Sequence, residues 1–198
     1  MITYAITVCN EHRELHQLLS FLKSVIHPED DINVLVDENN VTPKVEKVLE
    51  SFDDIDVHRR PFCGNFSDHR NYHITKCKGD YIFVLDADEM PQEELIKCIK
   101  TFTGDILHIP RINIIPGCTK EWCKKMNFST NHLGWINWPD YQGRYFKNTD
   151  KIRWSRGLHE RLTGSSNVAQ AEASPSIALW HIKSIDRQIA QDNLYQKL

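Results

Sequence analysis

The stretch Gly79-Asp80-Tyr81-Ile82-Phe83-Val84-Leu85-Asp86-Ala87-Asp88-Glu89 decides how the chain is read. Gly79 and Asp80 are turn residues that close whatever precedes them, and residues 81–85 form an unbroken apolar run of strand length. Such a run is a strand buried on both faces. It then presents three carboxylates, Asp86, Asp88 and Glu89, within four residues. In open α/β sheets ligands gather beyond the carboxyl ends of the strands, where loops and helix amino termini share a crevice. Residues i and i+2 of an extended segment point to the same side, so Asp86 and Asp88 are expected to hold a divalent cation or a ribose together. A cation there would also neutralise their mutual repulsion. The plain alternative is an acidic turn capping the helix that Pro91 opens.

Working outward, the same alternation repeats on both sides. Residues 2–8 read as a strand, followed by Leu15, Leu18, Leu19 and Leu22 at one-face helical spacing. Residues 32–36 are a second strand ending in Asp37. Val45, Val48, Leu49 and Phe52 repeat the helical spacing behind a Thr42-Pro43 start. A short strand over 56–59 and a helix over 67–78 lead into the acidic stretch. Beyond it, Pro91 opens a helix carrying Leu95, Ile96, Ile99 and Phe102, and 106–109 is a further strand. Residues 1–110 thus predict an α/β fold, a Rossmann-like, mostly parallel sheet flanked by helices. Residues 117–164 carry Trp122, Trp135, Trp138 and Trp154 with little helical periodicity, and read as loops and short strands. A strand over 176–180 and a Ser184-capped helix over 185–197 complete the chain.

With 198 residues, 40% hydrophobic and 26% charged, the chain has enough length for one substantial core, so 1–198 is expected to be a single domain. A net charge of −3 and a pI near 6.4 give no basic field, which argues against a nucleic-acid partner. Cysteines at 9, 63, 77, 98, 118 and 123 form no C-x-x-C pair and are expected to be reduced thiols of a cytoplasmic protein. The amino terminus lacks the pattern of an export signal, and no apolar run reaches the ~20 residues of a membrane span. A soluble, non-transmembrane chain is expected.

Asn10 and Glu11 after the first strand, Asp37 after the second, Asp68-His69-Arg70-Asn71 opening a helix, and residues 79–89 together resemble family 2 glycosyltransferases of the GT-A fold. The block Arg144-Tyr145-Phe146-Lys147-Asn148, then Ile152-Arg153-Trp154 and His159-Glu160, is similar to the second half of small bacterial and viral members. The resemblance implies a nucleotide-sugar-binding half over 1–110 and an acceptor and catalytic half over 111–198. It places Thr7, Val8, Cys9, Asn10, Glu11 and Asp37 around base and ribose, and Arg70 and Asn71 toward the nucleotide-sugar. Asp86, Ala87 and Asp88 become the acidic triplet, with Asp86 on ribose or metal and Asp88 as the direct metal ligand. Mn²⁺ or Mg²⁺ is the implied cofactor and a nucleotide-diphosphate sugar, UDP-sugar favoured, the donor. Inverting transfer of a single sugar to a glycan, lipid-linked or small-molecule acceptor follows, with self-association as one way to complete a short acceptor side. Val8 and Cys9 stand where the family has proline and tyrosine, and Glu38-Asn39-Asn40 follows Asp37 in place of a second aspartate with serine. Both departures bear on base preference.

Roles for the remaining side chains stay open between alternatives. His181 is a candidate imidazole ligand or a packing histidine beside Trp180. Glu160 is the candidate base, on the expectation that a tryptophan-rich cleft raises its proton affinity, with Asp140 as competitor. Glu160 has a structural alternative too, an ion pair with Arg156 or Arg161. Arg144, Arg156, His159 and Trp138 are candidates for gripping the diphosphate or the acceptor. A phosphoryl or nucleotidyl transferase is the rival enzyme, although G-x-x-x-x-G-K-[ST] is lacking. A degenerate glycan- or nucleotide-binding module is the rival without turnover.

Overall fold

Apolar spacing and caps produce the first elements where the sequence places them. The computed structural model describes residues 1–196. The chain opens with β1 (Ile2–Val8), α1 (His12–Val25), β2 (Asp31–Asp37), α2 (Pro43–Glu50), β3 (Asp56–Arg60), α3 (Phe66–Ile74) and β4 (Tyr81–Asp86). Helix α1 buries Leu15, Leu18, Leu19 and Leu22, and α2 buries Val45 and Leu49 behind a Thr42 side chain that accepts the Val45 N–H. Helix α3 is unlike them. Its buried residues are Ser67, His69, Arg70, His73 and Ile74, so it carries polar and charged groups into the interior.

The second half adds β5 (Glu89–Met90), α4 (Glu93–Lys100), β6 (Ile106–Ile114), α5 (Lys120–Lys125), β7 (Ile136–Lys147), β8 (Arg153–Ser155), β9 (Arg161–Thr163), β10 (Val168–Gln170), β11 (Leu179–Ile182) and α6 (Ile185–Tyr195). The sheet runs β3-β2-β1-β4-β7-β6-β11-β5, with β10 also on β6. Strands β3, β2, β1 and β4 are parallel, and β7 is antiparallel to both β4 and β6. Because β11 follows β6 in parallel, β1, β2, β4, β6 and β11 all end at one edge of the sheet. That edge gathers the site.

Both faces of the central strands are covered. Tyr4, Ile6, Phe83 and Leu85 pack into the core beneath α1, α2 and α4, while Ala5, Ile82 and Val84 join Ile74, Phe146, Ile152 and Trp154 on the other side. This two-sided burial is why residues 81–85 lack polar alternation. The expected α/β architecture, a mostly parallel sheet flanked by helices, is present.

Several elements differ from expectation. Helix α3, expected to reach residue 78, ends at Ile74, because the Thr75, Lys76 and Cys77 N–H groups bond the carbonyls three residues back in a tightened last turn. The short helix α5, capped by the Thr119 side chain, stands where loops and short strands are expected. Strand β6 runs on past Ile109 through Pro110 to Ile114. Along its outer edge β10 stops opposite His108 and β11 begins opposite Arg111, so Pro110 falls in the interval where that edge requires no N–H. Strand β11 starts at Leu179, since residues 174–177 are a turn closed by the Ile177 N–H on the Ser174 carbonyl. Strand β7 is twelve residues long where loops and short strands are expected, and its register against β6 shifts twice, which hides its alternation. The expected last residue of the final helix, Lys197, lies outside the described residues.

Candidate functional site

The acidic stretch does not stay extended. Asp86 ends β4, Ala87 and Asp88 form a turn, and Glu89 and Met90 pair antiparallel with β11, His181 opposite Glu89 and Trp180 opposite Met90. The Ala87 N–H donates to the Thr7 carbonyl at 3.0 Å and its methyl is buried. Asp86 and Asp88 therefore take different partners, which corrects the expectation that both point to one side of an extended strand.

Asp86 lies in the middle of a chain of alternating charges. Glu160 Oε1 accepts from Arg70 Nε at 2.6 Å, and Arg70 Nη2 donates to Asp86 Oδ1 at 2.9 Å. Arg144 Nη2 reaches Asp86 Oδ2 at 2.8 Å and Glu89 Oε1 at 2.5 Å. Arg111 then joins Glu89 Oε1, at 2.8 Å, to Asp140 Oδ2, at 2.8 Å. The Thr7 hydroxyl adds a 2.9 Å bond to Asp86, and the Trp154 ring lies 5.2 Å beneath the Arg70 guanidinium. Arg70, Glu89 and Arg144 are buried, and such charges persist only when each is met by opposite charge and hydrogen bonds.

This chain reverses the expected chemistry of Glu160. Burial pushes its pKa up, but the Arg70 guanidinium outweighs burial and holds it below the usual carboxylate range. The ion pair offered as its structural alternative exists, with Arg70 as partner in place of Arg156 or Arg161. Asp140 behaves alike: burial raises it, and Arg111 with Asn113 and Gln142 brings it lower. Asp86 is held well below the ordinary range, since Arg70, Arg144 and Thr7 overcome its desolvation. Asp140 accepts on both oxygens, whereas Glu160 uses only Oε1 among the described contacts.

Asp88 sits in a second, looser cluster. Its Oδ2 faces His181 Nε2 at 3.5 Å, Lys183 Nζ at 3.5 Å and Arg187 Nη2 at 3.8 Å. Burial raises the Asp88 pKa, but the basic groups that face it, His181 whenever its Nε2 carries a proton and Lys183, draw it far below its ordinary value. For a metal ion the donor sets divide. Asp88 Oδ2 and His181 Nε2 oppose each other at a separation that two ligand bonds of about 2.1 Å can bridge, and an imidazole with a carboxylate suits Mn²⁺. Asp86 does not fit, because guanidinium groups occupy both its oxygens. Among the described residues no group of three or more His, Cys, Asp or Glu converges, so the protein offers two donors there.

Around β1 and β2 the expected nucleotide residues brace one another. Glu11 Oε2 accepts the Cys9 and Asn10 N–H groups at 2.9 Å each, and Oε1 accepts from Arg187 Nη2. Asp37 accepts from the Asn39 and Phe62 N–H groups and from Asn40 Nδ2. Val8 is buried, Asn10 is exposed, and burial pushes the Cys9 thiol up to about 12. Asn71 turns away from the crevice: its amide pairs with both the N–H and the carbonyl of Trp154, tying α3 to β8. Arg156 and His159 are exposed with φ of 72° and 53°, and Arg156 has no ion-pair partner among the described residues. The Trp138 ring lies 5.1 Å from Trp135, which in turn is 6.0 Å from Trp180. Trp180, Met90, Gln92 and Ile182 line a cleft of about 430 Å³ that reaches Asp88 and Glu89. Another hollow, about 320 Å³, opens beside Met1, Asp30 and Asp80 at the opposite edge, away from the strand ends that collect charge.

The structure adds Arg111, Asn113, Lys183 and Arg187, which the sequence reading passes over. Arg111 and Asn113 stand two apart on the part of β6 beyond Pro110, so extending that strand would have put them on the site face. Lys183 and Arg187 flank Ser184, the helix cap, and only the position of β11 brings them to Asp88.

The chain matches the family model described as Glycosyl transferase family 2 over residues 3–166. No curated protein matches it in sequence. Among solved structures it resembles residues 1–349 of S. aureus TarS, with a TM-score of 0.63 at 14% identity over 91% of this chain and 60% of that one. The same fragment in complex with UDP-GlcNAc is matched at a TM-score of 0.59 and 13% identity, over 92% of this chain and 58% of that one. Glucosyl-3-phosphoglycerate synthase from Mycobacterium tuberculosis, in complex with Mn²⁺, UDP and phosphoglyceric acid, gives 0.58 at 13% identity over 96% and 73%. The chain thus spans about 60% of the TarS fragment, and at these identities the likeness concerns the fold. A family match over most of the chain, on a parallel sheet whose strand ends converge on acidic and cationic side chains, leads to one assignment: the chain belongs to glycosyl transferase family 2 and has the GT-A type of fold.

Proposed function

We propose that the chain transfers a single sugar from a nucleotide-diphosphate sugar, a UDP-sugar in preference, to an acceptor hydroxyl with inversion, using Mn²⁺ or Mg²⁺. The observation that carries this reading is the pairing of Asp88 with His181 at the common strand edge, Lys183 and Arg187 beside them. Asp88 and His181 would hold the cation, which supplies Lewis-acid neutralisation of the departing diphosphate. Lys183 and Arg187 add positive charge to the same pocket and favour the diphosphate there. Asp86, fixed by Arg70 and Arg144, presents a rigid edge toward ribose, with Thr7 to Glu11 and Asp37 framing the base. UDP-bound relatives of the fold support the choice of nucleotide. The acceptor, a glycan, a lipid-linked sugar or a small molecule, would enter over the cleft at Trp180 and Met90, with Trp138, Arg144, Arg156 and His159 as further candidates.

For inversion a base must accept the acceptor's proton on the face opposite the leaving group. Glu160 is the better candidate because Oε2 is left over, whereas Asp140 is engaged on both oxygens. Its lowered proton affinity makes it a weak base in the resting protein, so departure of Arg70 toward the donor would restore basicity. The decisive assay is release of nucleoside diphosphate from a panel of donors with and without Mn²⁺. Asp88→Asn is expected to lower release by at least 100-fold and Glu160→Gln to abolish transfer with nucleotide affinity nearly intact. Unchanged turnover in Glu160→Gln would move the base elsewhere. Nucleotide binding without diphosphate release across the panel would favour a binding module, a reading that the saturation of Asp86 and Asp140 also supports.

A further inference from the structure

Asn113 on β6 is the direct neighbour of His181 on β11. Its amide is held at both ends: Nδ2 donates to Asp140 Oδ2 at 2.8 Å, and Oδ1 meets His181 Nδ1 at 2.8 Å. Asp140 cannot turn this arrangement round. Arg111 Nε and Nη2 donate to the same Oδ2 at 3.0 and 2.8 Å, and Gln142 Nε2 donates to Oδ1 at 2.7 Å. An ionised carboxylate only accepts hydrogen bonds, so the NH₂ of Asn113 must face Asp140 and its oxygen must face the imidazole. The oxygen also only accepts. His181 Nδ1 therefore carries a hydrogen, and in the neutral ring Nε2 is left with a lone pair aimed at Asp88 Oδ2, 3.5 Å away.

We propose that Asn113, braced by Asp140 and Arg111, is a positioning residue that holds His181 in its Nδ1–H tautomer and so presents Nε2 as nitrogen donor to a divalent cation beside Asp88. The inference rests on the metal reading above and adds what prepares the ligand. With Nδ1 committed to Asn113, Nε2 is the ring nitrogen left for an ion beside Asp88, whose Oδ2 is faced otherwise by Lys183 Nζ at 3.5 Å and Arg187 Nη2 at 3.8 Å, both beyond hydrogen-bond length. It also gives Asp140 a task other than proton abstraction. From the far end of the relay it fixes a hydrogen-bond direction, as the partners of metal-bound histidines do.

Two measurements test this. In ¹⁵N-histidine-labelled, metal-free protein at pH 8, long-range ¹H–¹⁵N correlation should show His181 with Nδ1 protonated and Nε2 bare, the signal being assigned by its loss in His181→Ala. An Nε2–H ring, or a doubly protonated one, overturns the proposal. Mn²⁺ alone is then titrated by electron paramagnetic resonance into wild type, Asn113→Leu, His181→Ala and Asp88→Asn, each checked by circular dichroism. Asn113→Leu should weaken Mn²⁺ by about 10–100-fold. It should also move His181 away from the Nδ1–H form. If His181→Ala leaves Mn²⁺ affinity unchanged, the metal reading itself fails. If His181→Ala weakens the ion and Asn113→Leu does not, the metal reading stands and the positioning role falls. Should Asn113→Leu not fold, the tautomer of wild-type His181 decides alone.

Discussion

The carboxylates at the end of β4 belong to two kinds of electrostatic site only two residues apart. Around Asp86 every link from Glu160 to Asp140 is at hydrogen-bond length, between 2.5 and 3.0 Å, and the three arginines face four carboxylates. Around Asp88 three basic groups stand off at 3.5 to 3.8 Å. The first arrangement is closed on itself, each arginine held between two carboxylates, although Arg70 Nη1 and Arg144 Nε are buried without a hydrogen-bond partner among the described residues. The second leaves room for something between the partners. A buried network of closely paired charges holds geometry, whereas a looser one is where a ligand ion gains most.

Breaking the closed network should have the largest effect. Arg144→Met leaves the buried Glu89 and Asp86 each short of a guanidinium, and should lower unfolding free energy by about 3–5 kcal/mol in denaturant titration. A loss below 1 kcal/mol would show that the network is not the rigid frame described here.

Acid should separate buried histidines from the network. His69 and His73 are brought down from 6.5 to about 4 and about 3, chiefly by burial, with Arg70 adding to the effect. Above pH 6.5 they are neutral folded or unfolded, and their contribution is complete. As pH falls from there toward 4 and 3, the unfolded chain takes up protons that the folded chain refuses, so stability drops by up to about 1.4 kcal/mol per pH unit for each. The carboxylates Asp86, Asp140 and Glu160 act later. Their lowered pKa values keep their contribution intact above the ordinary range near 4, and it is lost only as the pH falls below that. Denaturant midpoints at pH 7, 5.5 and 4.5 should decline steadily, and a flat profile over that range would contradict the burial of neutral His69 and His73.

Glu160→Gln sharpens the boundary between frame and site. It removes one partner of Arg70, which keeps Asp86, so a loss of about 1–3 kcal/mol is expected in the same titration. The smallest effect belongs to the open cluster. Lys183→Met should lower stability by about 1 kcal/mol, since Nζ of this buried residue stands 3.5 Å from Asp88 and loses a close hydrogen bond, to Gln191 Oε1 at 2.9 Å, while diphosphate affinity measured by calorimetry falls. A large destabilisation there would mean that the Asp88 cluster is also structural.

Much of this molecule is legible without coordinates. Leu15, Leu18, Leu19 and Leu22 at helical spacing, the Thr42-Pro43 start of α2 and the apolar run closed by Asp86 depend on neighbours in the chain, and those elements stand where the sequence places them. Local pattern also puts Asp37, Asp86 and Asp88 at strand ends, and a parallel sheet turns strand ends into a common edge. What the sequence could not disclose is which charge meets which. Arg70 and Glu160 are 90 residues apart, and Arg187 and Glu11 are 176 apart. Such partners are chosen by strand order and register, in particular by β7 entering between β4 and β6 and by β11 following β6 past Pro110. The proton affinity of Glu160 turned on that choice. Burial, expected from the tryptophan-rich second half of the sequence, raises the value, but a guanidinium at 2.6 Å lowers it by more, and only the folded chain brings that guanidinium there.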